Sequence, residues 1–173
     1  MPGSVIQLTM NFGYPGSYSR MPDDVVMNKP VKSDSDPIMF GSAVILNGDN
    51  TFSAAGASLT TDNFAGIAVR EVKQAITLNA DQGSYAALDP CDVLLRGNTV
   101  IKVARGTPAA GAAVLYRVAV DAEVSGSAVG DFEAGTIGEG DDTLVALPNV
   151  VFTTGEVDGN NVAEVTIKTR NNN

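Results

Sequence analysis

The absences in this 173-residue sequence are its first informative feature: it has no histidine, no tryptophan and one cysteine. Without histidine, the chain can build neither a Ser-His-Asp or Cys-His nucleophile nor a His-containing zinc site. The single cysteine, Cys91, excludes an intrachain disulfide, which fits assembly in a reducing compartment. Because no histidine could activate its thiol, we expect Cys91 to be a small buried hydrophobic residue.

Other motifs of catalysis and of cofactor binding are also missing. No phosphate-binding loop of the form G-x-x-x-x-G-K-[ST] occurs. The carboxylates of Asp34 and Asp36, and those within residues 138–142, offer oxygen ligands, but neither group has the EF-hand spacing. Two acids could form a glycosidase pair, yet the chain has no tryptophan to line a sugar-binding cleft. We therefore expect no enzyme activity, no cofactor and no metal.

The charge is strongly one-sided, with a net value of −9 and a pI of about 4.3. Binding of nucleic acid needs a basic surface, and attachment to a membrane needs a basic helix or a long apolar run. The sequence has none of these features, so we expect neither a nucleic acid nor a membrane as a partner. The N-terminal residues do not have the pattern of a secretory signal. Seven carboxylates and no basic residue lie within residues 121–142. This acidic stretch is interpreted as a solvated loop or, alternatively, as a wall facing basic partner loops.

The first 36 residues differ from the rest of the chain. They combine aromatic residues with glycine and with prolines at positions 15, 22 and 30, a composition that disfavours helix but is too aromatic for a solvated linker. We interpret residues 1–36 as an extended arm lying on its own barrel or on a neighbour. In an extended chain Phe12, Tyr14 and Tyr18 would share one face, and with Arg20 they are the candidate interface residues.

Residues 37–173 are predicted to form an all-β body, either a small β-barrel or a β-sandwich of about nine strands. Apolar runs at 38–46 and 64–72 predict strands, the second one buried on both faces. Alternation near the end predicts that Ala163, Val165 and Ile167 face the core. Gly97-Asn98 is interpreted as a tight hairpin between two strands, and residues 47–50, 107–111 and 158–161 as turns.

The sequence also resembles a known family. The matching stretches are NFGYPGSYSR (11–20), VMNKPV (26–31), PIMFG (37–41), FAGIAVREVKQ (64–74), YAALDPCDV (85–93) and, more weakly, NNVAEV (160–165). Together they resemble the capsid cement, or head decoration, proteins of tailed phages. The resemblance spans nearly the whole chain, and its motifs are structural ones.

This resemblance implies a β-rich virion protein, made in the host cytoplasm and added to the outer surface of the expanded capsid. It implies that the protein bridges neighbouring major capsid proteins as a homo-oligomer, with a trimer favoured and a dimer possible. The alternative function is that of another phage or cell-surface binding module, such as a fibre, baseplate or adhesion domain.

Overall fold

The computed structural model describes residues 12–70, 83–122, 126–136 and 143–170, and their regular structure is almost entirely β-strand. The strands are β1 (Tyr18–Pro30), β2 (Ile38–Met39), β3 (Ala43–Leu46), β4 (Phe52–Ala54), β5 (Phe64–Ala68), β6 (Ser84–Tyr85), β7 (Pro90–Arg105), β8 (Ala113–Arg117), β9 (Phe132–Glu133), β10 (Leu144–Phe152) and β11 (Val162–Ile167). A short 3-10 helix, Gly56–Ser58, is the one helical element in these residues. The predicted all-β fold is confirmed.

Five strands close into a barrel. Going round it, β7 pairs with β11, β11 with β10, β10 with β8, β8 with β9, and β9 with β7 again. The β7–β9 pair is parallel and the other four are antiparallel. Closure leaves no open edge among these strands, which removes the usual template for unwanted strand addition. Of the two architectures left open by the sequence, the barrel is therefore the observed one.

Alternating side chains fill the barrel. Ala163, Val165 and Ile167 are all at most 1% exposed and belong to the main core cluster, as the sequence pattern predicts. On β10, Leu147 and Val150 both face this core although they are three residues apart. An irregularity in the β8–β10 register lies between them, where Asn149 has a φ of 60°. Between the pairs at 146 and 151, β10 has three more residues than β8, and this bulge explains how both side chains can point inward.

A second layer extends from the N-terminal half of β7 through β5 and β3 to β4. One face of this layer contributes to the main core, and the other carries a second cluster that includes Phe40, Phe52 and Tyr85. All five residues of β5 are buried, which confirms the prediction of a strand buried on both faces. Cys91 is fully buried in the second cluster, as expected for a small hydrophobic residue.

Residues 18–30, in the second half of the expected arm, form β1 and pair antiparallel with β7. The arm is thus extended here and lies on its own barrel, one of the two surfaces considered for it. The register slips between Arg20 and Val25, so β1 bulges away from β7 in the region of Pro22. The division at residue 36 stays a prediction, and residues 1–11 lie outside the described residues.

The hairpin predicted at Gly97-Asn98 is wrong, because β7 runs straight through both residues. Gly97 has a φ of +126°, and the Asp24 side chain from the β1 bulge lies where a Cβ would project. The Asp24 carboxylate also accepts a hydrogen bond from the Asn98 amide at 3.2 Å. The glycine accommodates the close approach of a neighbouring strand and does not form a turn.

The structure corrects the strand predicted at 38–46 and shows the predicted turns. The run 38–46 is two short strands, since the chain turns at Phe40–Gly41 and Gly41 has a φ of +77°. The predicted turns are present, with amide-to-carbonyl hydrogen bonds from Asn50 to Asn47, from Ala112 to Ala109 and from Asn161 to Asp158. The last two residues of the strand predicted at 64–72 lie outside the described residues.

Candidate protein-binding surface

The N-terminal segment enters the fold through a tight turn at residues 14–17. The Ser17 amide donates to the Tyr14 carbonyl at 3.0 Å, so the chain is not extended here. The expectation that Phe12, Tyr14 and Tyr18 share one face of an extended chain is therefore wrong. The signal for the turn was Pro15-Gly16, a dipeptide that favours turns.

This turn is held against the body by backbone contacts. The Gly16 amide donates to the Val100 carbonyl at 2.9 Å, and the Arg70 amide donates to the Gly16 carbonyl at 3.0 Å. A Cβ on Gly16 would lie 2.7 Å from the Gly41 nitrogen, and one on Gly41 would lie 2.6 Å from the Pro15 Cβ. Only glycine fits at such contacts, and both residues have positive φ values. The turn is thus a rigid part of the body.

The two aromatic residues before and within the turn are accessible. Tyr14 is 63% exposed, and the Arg70 guanidinium lies 5.9 Å from its ring centre and 5.5 Å from that of Phe40. A guanidinium at these distances is attracted to the faces of both aromatic rings. Phe12 is half-buried, and its amide donates to the Asp158 carboxylate at 3.1 Å.

Tyr18 and Arg20 lie on β1 itself. Tyr18 is half-buried and packs against the main core. Arg20 reaches across β7 to Glu164 of β11, with its Nε 2.7 Å and its Nη2 3.1 Å from the two carboxylate oxygens. The Arg20 side chain is 62% exposed while that of Glu164 is 3% exposed. The hydrogen bond and the charge of Glu164 raise the pKa of Arg20. The sequence alternation places Glu164 on the face opposite to Ala163, Val165 and Ile167, and it gives no sign that Glu164 is buried.

A second Arg–Glu pair joins Arg117 of β8 to Glu133, which lies in the acidic stretch. Glu133 accepts hydrogen bonds from Arg117 Nε at 2.5 Å and Nη2 at 3.0 Å, and Arg117 Nη1 donates to Thr143 Oγ1 at 2.9 Å. The two side chains are 2% and 9% exposed. Residues 121–142 are therefore not a continuous solvated loop, because β9 passes through them. Residues 123–125 and 137–142 lie outside the described residues.

Two buried tyrosines have raised pKa values. Burial, together with the nearby Asp92 carboxylate, raises the pKa of Tyr85, whose hydroxyl donates to the Val69 carbonyl at 2.7 Å. Burial raises the pKa of Tyr116 to about 12. Both side chains pack in hydrophobic clusters, which gives them a structural role.

Within the part of the chain that the structure describes, no three His, Cys, Asp or Glu side chains are grouped so that they could hold a metal ion. The same residues include no helix of the length and apolar character needed to cross a membrane.

Comparison with known proteins gives two positive findings. A family model described as structural cement protein (E217 gp24/Pam3 gp6) matches residues 1–168. A chain in a solved structure of the capsid of Myoviridae phage XM1 is similar with a TM-score of 0.67 and 19% identity, over 96% of each chain. None of the curated proteins matches. At this identity the structural likeness shows a shared fold.

Proposed function

This chain belongs to the family of phage structural cement proteins, and from that membership we propose that it binds the outside of the assembled capsid and bridges neighbouring major capsid proteins. The match over residues 1–168 is the observation that carries the proposal. A protein that binds only the assembled shell stabilises it by mass action. Repetition over the shell adds avidity without requiring strong individual contacts.

The proposed contact surface includes Phe12, Tyr14, Tyr18 and Arg20. Tyr14 and Arg20 present most of the accessible area, since Phe12 and Tyr18 are half-buried. Tyrosine and arginine are enriched among the residues that dominate binding energy. The rigid turn at 14–17 supports this role, because a surface that is already ordered loses little entropy on binding.

Binding to purified shells tests the proposal directly. Expanded capsids lacking this protein are incubated with it, and the bound fraction is measured after sedimentation, in parallel with pull-downs on unassembled capsid subunits. We expect saturable binding to the expanded shell and much weaker binding to free subunits. Equal affinity for the two forms would contradict a cement role.

A point substitution tests the contact surface better than truncation. Removing residues 1–20 would also remove the backbone hydrogen bonds of Gly16 and Ser17 to Val100, so loss of binding could reflect unfolding. Tyr14→Ala leaves those bonds in place. We expect about tenfold weaker shell binding, which corresponds to about 1.4 kcal/mol. Val120→Ala, at another exposed hydrophobic residue, is the control and should bind as wild type.

The remaining parts of the proposal concern assembly and chemistry. We propose a homo-oligomer, with a trimer favoured over a dimer, and a purely structural role without catalysis. Sedimentation equilibrium of the isolated protein gives its oligomeric state, and an activity screen tests for hydrolysis. A fibre, baseplate or adhesion module would be present in far fewer copies than the major capsid protein. Quantification of purified virions therefore separates these functions, since a cement protein should be nearly stoichiometric.

A further inference from the structure

A cavity of about 490 Å³ lies beside the turn at 14–17, over the outer face of β7. Its floor includes Lys102 and Ala104, which are exposed and alternate along β7 with residues that face the core. Met39 of β2 and Val129 also line it, and they are 37% and 39% exposed. The cavity therefore presents apolar side chains to solvent, and its volume is typical of pockets that enclose a ligand.

The lining of the cavity is close to neutral. Among the described residues that line it, two are charged, Lys102 and Asp131, and their charges are opposite. The Asp131 carboxylate accepts a hydrogen bond from the Ala128 amide at 3.0 Å. The other lining residues are apolar residues, glycines and one serine. Such a surface suits an uncharged, partly apolar occupant, because a charged one would lose hydration against apolar side chains.

Residues 1–11 have the composition and the pattern that this lining requires. They contain no charged side chain. Between positions 6 and 10 apolar and polar side chains strictly alternate, in the order Ile6, Gln7, Leu8, Thr9 and Met10. Alternation of this kind is typical of an extended segment with one buried and one solvated face. The segment 6–10 lies outside the described residues, and its sequence predicts that its apolar face needs a surface to cover it.

The described chain begins at the edge of this cavity. The Phe12 amide donates to the Asp158 carboxylate at 3.1 Å. The turn that starts at Asp158 ends at Asn161, whose carbonyl accepts a hydrogen bond from the Val103 amide at 2.8 Å. Val103 lies between the two floor residues of the cavity, and Pro15, three residues after Phe12, lines the cavity itself. The segment that precedes Phe12 is therefore anchored within reach of the floor.

We propose that residues 6–10 lie in this cavity of their own chain, with their apolar face against Met39 and Val129 and their polar face toward solvent. Burial of apolar area supplies the affinity. Because the segment is tethered through Phe12, its effective concentration at the cavity exceeds that of a separate molecule. The contact forms in the isolated protein, whether or not a capsid is present. Met39 and Val129 are then covered and are not available to a capsid partner.

A photo-crosslinking amino acid in place of Met39 tests which segment occupies the cavity. The isolated full-length protein is irradiated, and the products are separated under denaturing conditions and mapped by mass spectrometry. We expect a crosslink to residues 6–10 in a product that keeps the mass of one chain. A product of twice that mass would place a second copy in the cavity and overturn the inference. So would the absence of any crosslink to residues 6–10.

Thiol labelling measures the same contact through accessibility. In Val129→Cys the new thiol lines the cavity, whereas the native Cys91 is fully buried and reports unfolding when it reacts. Leu8→Asp places a charge on the apolar face of the segment and should raise the alkylation rate at residue 129 at least about fivefold. Gln7→Asp adds the same charge to the polar face and should leave that rate unchanged.

Met27→Cys is the matched control for the labelling reaction. Met27 is 36% exposed, close to the value for Val129, but it pairs with Val93, which lies nine residues along β7 from Lys102. Its alkylation rate should be the same with Leu8→Asp as with Gln7→Asp. Equal rates at residue 129 in these two backgrounds would overturn the inference. If labelling of Cys91 shows that Leu8→Asp unfolds the protein, Leu8→Ser against Gln7→Ser makes the same comparison without a charge.

Discussion

The two bidentate Arg–Glu pairs of this protein use the same chemistry in different surroundings. Arg117 and Glu133 join neighbouring strands of the barrel and are both buried, and Thr143 satisfies a further guanidinium donor. Arg20 and Glu164 join β1 to β11 across β7, and only the glutamate is buried. Removing either member of the first pair leaves the other as an unpaired buried charge. In the second pair this happens only when Arg20 is removed, because only Glu164 is buried. We therefore expect burial, more than hydrogen-bond geometry, to decide how much each pair contributes to stability.

The largest expected effect comes from placing a new charge inside the barrel, among the hydrophobic side chains of the main core. Val165 is fully buried in the main core. Val165→Asp should lower the free energy of unfolding by about 3–5 kcal/mol, measured by denaturant titration. Val120→Asp makes the same substitution at a residue 63% exposed and should change stability by less than about 0.5 kcal/mol. Equal melting of the two variants would mean that β11 is not part of the core.

Breaking the buried pair should come next. Glu133→Ala leaves the Arg117 guanidinium buried without its carboxylate and should cost about 3–5 kcal/mol. The double substitution Arg117→Met with Glu133→Leu removes both charges and should recover most of that loss, because replacing a buried pair by apolar residues is often nearly neutral. Denaturant titration of both variants decides this. A double variant no more stable than Glu133→Ala would show that packing, and not the unpaired charge, is responsible.

The half-exposed pair should respond asymmetrically. Arg20→Ala leaves the buried Glu164 carboxylate without its cation, whereas Glu164→Gln leaves an Arg20 that water already solvates. We therefore expect the larger loss of stability from Arg20→Ala, and both losses to be smaller than that of Glu133→Ala. Chemical denaturation at low and high salt measures the difference. Equal losses for the two single variants would contradict the role assigned to burial.

The smallest effect is a dependence of stability on alkaline pH. Burial raises the pKa of Tyr116 to about 12, above the value of about 10 in an unfolded chain. The contribution of Tyr116 to the free energy of unfolding is fully present below pH 10. It falls from pH 10 to about 12, because in this range the tyrosine loses its proton in the unfolded state but keeps it in the folded state. Tyr116→Phe should make the decline in stability over this range shallower. An unchanged slope would mean that Tyr116 does not contribute to this decline.

Local patterns in the sequence predicted much of the fold. Period-two alternation identified the inward face of β11, because alternate side chains of a strand necessarily share a face. A continuous apolar run identified β5, because a strand that is buried on both faces has apolar side chains at successive positions. Turn residues marked the chain reversals at 47–50 and 158–161, where hydrogen bonds close over three residues. Each of these features depends on neighbours in sequence.

The features that the sequence did not predict depend on distant residues. Gly97 accommodates the side chain of Asp24, which lies 73 positions earlier in the chain. The local sequence Gly-Asn is the same whether the glycine forms a hairpin turn or lies in a strand beside the bulge of a neighbouring strand. Glu164 has the position of a solvated residue in the alternation, and only Arg20 from β1 explains its burial. The cavity lined by Met39, Lys102 and Val129 likewise combines β2, β7 and a loop that are far apart in the chain. Such pairings are set by topology and carry no local signal.

β7 runs for 16 residues and is paired along its length with β1, β5, β9 and β11. Its backbone hydrogen bonds lie across the strand direction. A tensile load applied along β7 would therefore shear many of these bonds at once, whereas a load across it would open them one after another. We therefore expect the fold to be mechanically anisotropic and to resist stretching most strongly along the axis of this strand.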